Sequence, residues 1–415
     1  MPRIVHICPR YRPVRGGVEL FFERISEDLA ARGDEVSVWT TDASTVQAFT
    51  VSGAPRLPPG PERLAGVDVR RFPVRYLPAS RVVRTLAHLL PFGTRWRCDT
   101  LRWTPFVPAL TRAASTTTDR VDLVHVAGLP YSSILFAGVR LAERTGARLV
   151  ISPFTHVPPP GPAAALFERA YLSPLNIELL SRADRVFVQT PLERQALVGA
   201  GLRDDRLVEI GLGVDAEACA GGNRQAARAR WGLEAEAVVV GHLANKSWDK
   251  GTVDLLDAAE ALWARGVRFR LMLAGPEMAS FRARLARRPP PDHLVDLGSL
   301  TDAERRDFYA AIDLFALPSY VESFGISSLE AALSGSAVVA YDHGGPSQIF
   351  VDDDTARLVP TGDLERLGDA LAQVIGDRDL RARLAAAGAR LARRYDWGRV
   401  FGRVRRACDD LLQKT

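Results

Sequence analysis

Lysine is nearly absent from this sequence: only three of its 54 basic residues are lysines (Lys246, Lys250 and Lys414), and the rest are arginines. Cysteine is scarce too. Cys8, Cys98, Cys219 and Cys408 lie far apart, with no Cys-x-x-Cys pair and no Cys/His cluster. That excludes a structural zinc site and a disulfide framework, and leaves four isolated reduced thiols. No uncharged apolar stretch reaches the length of about 18 residues that a membrane-spanning helix needs. The run Ile4 to Cys8 is too short for a signal peptide and reads as a strand, so the expected compartment is the cytoplasm. Also missing are a G-x-S-x-G elbow, a Walker A loop and a G-x-G-x-x-G turn after the first strand.

What is present is globular in composition, with 47% hydrophobic and 25% charged residues. A chain of 415 residues is too long for one ordinary core, which predicts two or three domains. The net charge of +5 is modest and suits anionic ligands or a membrane surface. Nucleic acid is not an expected partner.

Short apolar runs alternate with helical periodicity. Ile4–Cys8 leads through a Pro/Gly loop (9–17) to a helix over 18–32, with apolar positions at Leu20, Phe21, Ile25 and Leu29 and Gly33 closing it. Further strands are predicted at 36–40, 123–126, 149–152, 185–188 and 207–210, with helices such as 132–145 and 191–200 between them. The same rhythm restarts with strands at 237–241, 268–274, 313–317 and 337–341 and helices at 252–265 and 326–334. Strand–helix–strand repetition implies parallel, doubly wound sheets. The break is placed in the Gly- and Ala-rich stretch 211–232, giving an N-terminal Rossmann-like domain (1–212), a C-terminal one (213–396) and a terminal amphipathic helix (397–415). In such α/β domains ligands bind outside the carboxyl ends of the strands, so a site in a cleft between two facing domains is expected.

Two segments break the rhythm. Residues 52–66, rich in Pro and Gly, read as a flexible surface loop. Residues 73–108 carry Arg75, Arg81, Arg84, Arg95, Arg97 and Arg102, with Arg71 just before, against one acid, Asp99. Trp96, Trp103, Phe92 and Phe106 are interleaved, which makes this segment a candidate face for peripheral membrane or acceptor contact, or a solvated cover for the sheet edge.

The chemistry concentrates between Leu317 and Pro346. A strand end is followed by Pro318-Ser319, then Glu322, Ser323-Phe324-Gly325 and a helix that starts near Ile326 and carries Glu330. The free N–H groups at that helix start form a natural anion site, and Gly325 lets a ligand approach the backbone. Two carboxylates beside an anion site would repel the anion itself and accept hydrogen bonds from hydroxyls. A ligand with hydroxyls on both sides of a diphosphate fits, with Glu322 on a sugar and Glu330 on a ribose. Asp352 to Asp354 invite a metal reading, but the run reads as a turn after a helix, and no metal site is expected.

This run resembles family 4 of the retaining glycosyltransferases, which have the GT-B fold. The Glu-x7-Glu signature of that family matches Pro318-Ser319, Glu322, Phe324-Gly325 and Glu330 in place and spacing. The resemblance covers nearly the whole chain. Gly16-Gly17-Val18-Glu19 is similar to the family's first glycine-rich loop, and 122–125, 213–215, 344–346, 352–354 and 360–363 match further segments. It implies a donor diphosphate held by Lys250 of Lys250-Gly251. His242 stands where the family usually has arginine, with Lys246 as a second cation in the loop. It also implies His156 near the donor sugar and Leu297 beside the nucleobase.

The expected donor set is therefore Gly16, Gly17, His242, Lys246, Lys250, Leu297, Ser323, Phe324, Gly325, Ile326 and Glu330, with Glu322, His156 and Lys250 catalytic. His125 is expected to be a packed histidine. The implied reaction is metal-independent transfer with retention, from a UDP- or GDP-sugar co-substrate and without a cofactor. The acceptor is left open between a natural product, another small molecule and a lipid-linked glycan. Competing readings are a nucleotide-sugar epimerase, a non-catalytic GT-B relative and a two-domain sugar-binding protein.

Overall fold

The computed structural model describes residues 1–76, 93–101, 103–161, 164–219, 221–289 and 292–413. Its strands form where β-branched and aliphatic runs are bounded by Gly, Pro or Asp. In the first half these are β1 (Arg3–Ile7), β2 (Glu35–Thr41), β3 (Gly60–Leu64), β4 (Val67–Phe72), β5 (Leu123–Ala127), β6 (Arg148–Ser152), β7 (Arg185–Val188) and β8 (Leu207–Glu209). They make one sheet in the order β3-β4-β2-β1-β5-β6-β7-β8. Every pairing is parallel except β3 with β4. That hairpin corrects the reading of 52–66 as a loop. Gly60–Leu64 alternates too weakly to show as a strand, and β3 is an exposed edge held by its ladder to β4.

The second half supplies β9 (Val239–Leu243), β10 (Arg270–Ala274), β11 (Leu294–Asp296), β12 (Leu314–Leu317), β13 (Ala337–Tyr341) and β14 (Arg357–Val359). These form an all-parallel sheet in the order β11-β10-β9-β12-β13-β14. Two parallel-sheet α/β units of this kind are the GT-B architecture. The first compact unit comprises Met1–His156, Ala165–Gly211 and Val400–Thr415; the second comprises Val157–Ala164 and Leu212–Arg399.

Each unit has its own core. In the first, the helix Gly17–Ala31 buries Phe21, Phe22, Ile25 and Leu29, each contributing roughly 1.5–3 kcal/mol. His125 on β5 is a packed histidine, as the sequence suggested. Its Nε2 lies 2.8 Å from Ser152 Oγ, and its ring meets that of His6 at 5.2 Å. The terminal helix Trp397–Leu412 enters the first unit at Val400, where Arg405 pairs with Asp28 and Arg32 with Asp409. All four cysteines are buried and free. Of the basic aromatic segment, residues 77–92 and 102 lie outside the described residues, while Thr94–Thr100 is a helix. Among the described residues no helix is long and apolar enough to cross a membrane.

Candidate active site

The site in the second unit is made by two loops at the carboxyl ends of β9 and β12. The β9 loop is wired from below by His242. Ala316 O can only accept, so His242 Nδ1 carries the proton and donates to it at 2.8 Å, and Nε2 accepts from Thr252 Oγ1 at 2.9 Å. Thr252 Oγ1 in turn accepts from Ser247 N at 3.2 Å. This corrects the expectation for His242: it is fully buried with both ring nitrogens engaged, and burial pushes its pKa down to about 4. It is a neutral core histidine that fixes the loop, not a phosphate ligand.

Gly251 follows Lys250 with φ +66, and a Cβ there would fall 1.7 Å from Pro318 O, so only glycine lets the two loops close on each other. Asp249 O accepts from Tyr320 N at 2.9 Å and from Val321 N at 3.3 Å. Across this junction Lys250 Nζ donates to Val321 O at 2.9 Å and to Glu322 Oε2 at 3.0 Å. The other oxygen of Glu322 accepts from Gly325 N at 3.1 Å and Phe324 N at 3.4 Å. Gly325, at φ +89, starts the helix Ile326–Leu333. An ammonium and a helix N-terminus therefore converge on one point, and the chain's own carboxylate occupies it. Ser323 and Ile326 flank this point half-buried, and Phe324 packs beneath, edge-on to Tyr395 at 5.8 Å.

The remaining candidates divide. Lys246 does not join the clamp, which corrects its expected role. Its side chain is 1% exposed, and Nζ lies 2.5 Å from Asp296 and 3.6 Å from Glu277, over the ring of Phe281. Two carboxylates and an aromatic face neutralise it inside the domain. Glu330 is also enclosed: Tyr309 donates to Oε2 at 2.7 Å, Arg305 pairs with Oε1 at 3.1 Å, and burial raises its pKa. Both oxygens already have partners, which leaves only their second lone pairs for a ribose. Leu297 is half-buried at the end of β11; its N–H is spent on Leu273 O at 2.9 Å.

Gly16, Gly17 and His156 belong to the first unit. Gly16 caps the helix that begins at Gly17, where Glu19 is paired with Arg10 at 2.7 Å. His156 Nδ1 lies 3.0 Å from Tyr171 OH, with the rings stacked at 5.1 Å. Just before it, Phe154 takes φ +52, a region non-glycine residues seldom occupy. Sequence reasoning missed Glu193, which holds this turn: its oxygens accept from Thr155 N at 2.5 Å and Gln189 N at 2.7 Å, and burial pushes its pKa up to about 7. The available signal was Thr190-Pro191-Leu192-Glu193, a helix-start pattern in which the glutamate usually turns back on the cap.

Comparison with known proteins places this geometry. Residues 16–213 match the glycosyl transferase 4-like domain and residues 223–391 match glycosyl transferases group 1. The chain is 30% identical over 422 residues to the D-inositol 3-phosphate glycosyltransferase of Mycolicibacterium smegmatis, covering 95% of this chain and 86% of that protein. It belongs to the GT4-type GT-B glycosyltransferases. The transferase is also 29% identical over 418 residues to the Nocardia farcinica protein of the same name, covering 95% and 85% of the two chains. In fold it is similar to sucrose-phosphate synthase from Thermosynechococcus elongatus, with a TM-score of 0.77, 18% identity and full coverage of both chains. It is likewise similar to Anabaena HepE, solved with UDP and glucose, with a TM-score of 0.75 and 20% identity over 99% of this chain and 100% of that one.

Proposed function

We propose that this transferase moves a sugar from a UDP-sugar, with a GDP-sugar as the alternative donor, to an acceptor hydroxyl, with retention and without a metal ion. The observation that carries the reading is the convergence of Lys250 Nζ and the Gly325 and Phe324 N–H groups on one anion position. The donor diphosphate displaces the Glu322 carboxylate from it. Glu322 then accepts a hydrogen bond from a hydroxyl of the donor sugar. As the bond from the anomeric carbon to the diphosphate oxygen breaks, its electron pair stays on that oxygen. Positive groups already aimed at this point stabilise the developing charge. The acceptor oxygen bonds to the anomeric carbon on the same face, and its proton passes to the departing diphosphate. The catalytic assignments of Glu322, Lys250 and His156, and the ribose role of Glu330, are parts of this proposal.

The names of the relatives favour a phosphorylated polyol as the first acceptor to test, in a cytoplasmic enzyme. A lipid-linked acceptor is favoured by one separate observation. A groove of about 640 Å³ in the first unit is lined by Trp96, Phe106, Phe136 and Leu179, together with the ion pairs Arg95–Asp99 and Arg140–Glu143, and Trp96 is 40% exposed. Thermal-shift titration with UDP, GDP, ADP and TDP tests the donor: UDP should raise the melting temperature most, and no shift with any of them refutes the reading. Co-sedimentation with anionic liposomes separates the acceptor classes.

A further inference from the structure

One exposed aromatic beside the active site has no part in the scheme above. Trp248 lies in the β9 loop, two residues before Lys250, and is 42% exposed. It stacks on Tyr320, two residues before Glu322, with ring centroids 4.7 Å apart and an interplanar angle of 18°. The stack is locked from several sides. Trp248 N donates to Ser280 Oγ at 3.0 Å, and Tyr320 OH donates to Asp254 Oδ2 at 2.7 Å, where Tyr341 OH converges at the same distance. Tyr320 covers one face of the indole, and 42% of the residue stays in contact with solvent. Each ring is joined to the Lys250–Glu322 pair by a two-residue step of backbone, which spans at most about 7 Å between Cα atoms.

We propose that Trp248, backed by Tyr320, is a platform for the pyranose ring of a neutral saccharide, so that this transferase binds a glycan beside its donor site. An immobilised aromatic face offers large contact area without further ordering cost. The axial C–H groups of a pyranose pack on such a face while its hydroxyls point outward to polar groups at the rim. Asn245 and Asp249 flank Trp248, and their side chains have no hydrogen-bond or ion-pair partner among the described residues. An amide and a carboxylate suit hydroxyl donors. Of the two lysines of this loop, Lys250 is paired with Glu322 and Lys246 with Asp296 and Glu277, so an anionic ligand is disfavoured here. The proposal does not need the diphosphate assignment to hold.

The test is saturation-transfer NMR on the full chain without nucleotide, using maltotetraose and cellotetraose as probes. Saturation transfer to at least one of them is expected. Trp248→Ala should weaken it about tenfold or more, the scale of one aromatic contact, and Trp248→Phe should retain most of it. No transfer to either probe in the unsubstituted chain, or binding that Trp248→Ala leaves unchanged, overturns the platform. A cooperative thermal melt of Trp248→Ala near that of the unsubstituted chain reports that the variant is folded, and a separate UDP thermal shift on the unsubstituted chain keeps the two readings apart. Saccharide binding without a UDP shift would sink the donor proposal alone.

Discussion

Lys250 Nζ and the backbone N–H of Gly325 hold the same carboxylate from opposite sides, at 3.0 Å and 3.1 Å, so in this structure Glu322 fills the position proposed for the donor diphosphate. Glu322 then competes with the leaving group before it helps with the sugar. Glu322→Gln removes the competing charge, and it should bind free UDP about tenfold tighter while turnover falls at least about a hundredfold. Lys250→Ala should lose both affinity and turnover. Calorimetry of UDP binding beside initial rates checks the pair. Weaker UDP binding by Glu322→Gln would mean that the carboxylate supports the phosphate site instead of occupying it.

The same site depends on a backbone contact with no side chain in it. Gly251 abuts Pro318 O so closely that a Cβ would lie 1.7 Å from the oxygen, at a φ of +66. Gly251→Ala must push the β9 loop away from the β12 loop and carry Lys250 with it. A melting temperature lower by about 3 °C or more is expected, with turnover down about tenfold or more, since displacements near 1 Å suffice for such losses. Full activity in a soluble Gly251→Ala variant would show that the loop junction does not set the position of Lys250.

The two lysines of this loop should separate cleanly by experiment. Lys246 neutralises Asp296 and Glu277 inside the domain. Lys246→Met leaves those carboxylates facing an apolar side chain and should cost about 2 kcal/mol of stability. That is below the usual figure for a buried pair, because Asp296 keeps 29% of its surface in water. UDP affinity should stay within about twofold, as expected for sites that share no partner. Urea unfolding together with UDP titration reads both numbers. A large loss of UDP affinity without loss of stability would return Lys246 to the clamp.

Why one lysine was legible in the sequence and the other was not is a matter of what surrounds them. Lys250-Gly251 precedes a helix, and the Glu322–Glu330 run lies between two strands; both are local patterns, and local spacing survives folding. The partners of Lys246 are Glu277, in the loop after β10, and Asp296, the last residue of β11, which no local pattern connects to it. His242 misled for the same reason. Its position at a strand end looked like a ligand position, while the groups that bury it, Ala316 and Thr252, come from elsewhere in the chain. Most of the β-rhythm was readable because buried parallel strands are continuous apolar runs; β4 (Val67–Phe72) and β14 (Arg357–Val359), parallel but carrying charge, were not read. The edge strand Gly60–Leu64 was not, since its Pro- and charge-rich sequence carries no apolar period.

His242 also sets a pH limit. Its folded pKa of about 4 lies below the ordinary 6.5, because desolvation penalises the charged ring. The unfolded chain therefore binds a proton that the folded one refuses as pH falls below about 6.5. The stability that neutral His242 contributes is present above that value and is lost progressively down to about 4, by an amount of about 3 kcal/mol. Buried His6, with a pKa pushed down to about 3, acts in the same direction. His242→Gln keeps an amide donor and acceptor but cannot be protonated. It should lower stability somewhat at pH 8, and between pH 6.5 and 4 it should lose about one proton's worth less than the unsubstituted chain. Chemical denaturation at stepped pH measures the difference. Parallel curves for the two proteins across that window would mean that His242 is not the neutral buried ring that wires the β9 loop to Ala316 and Thr252.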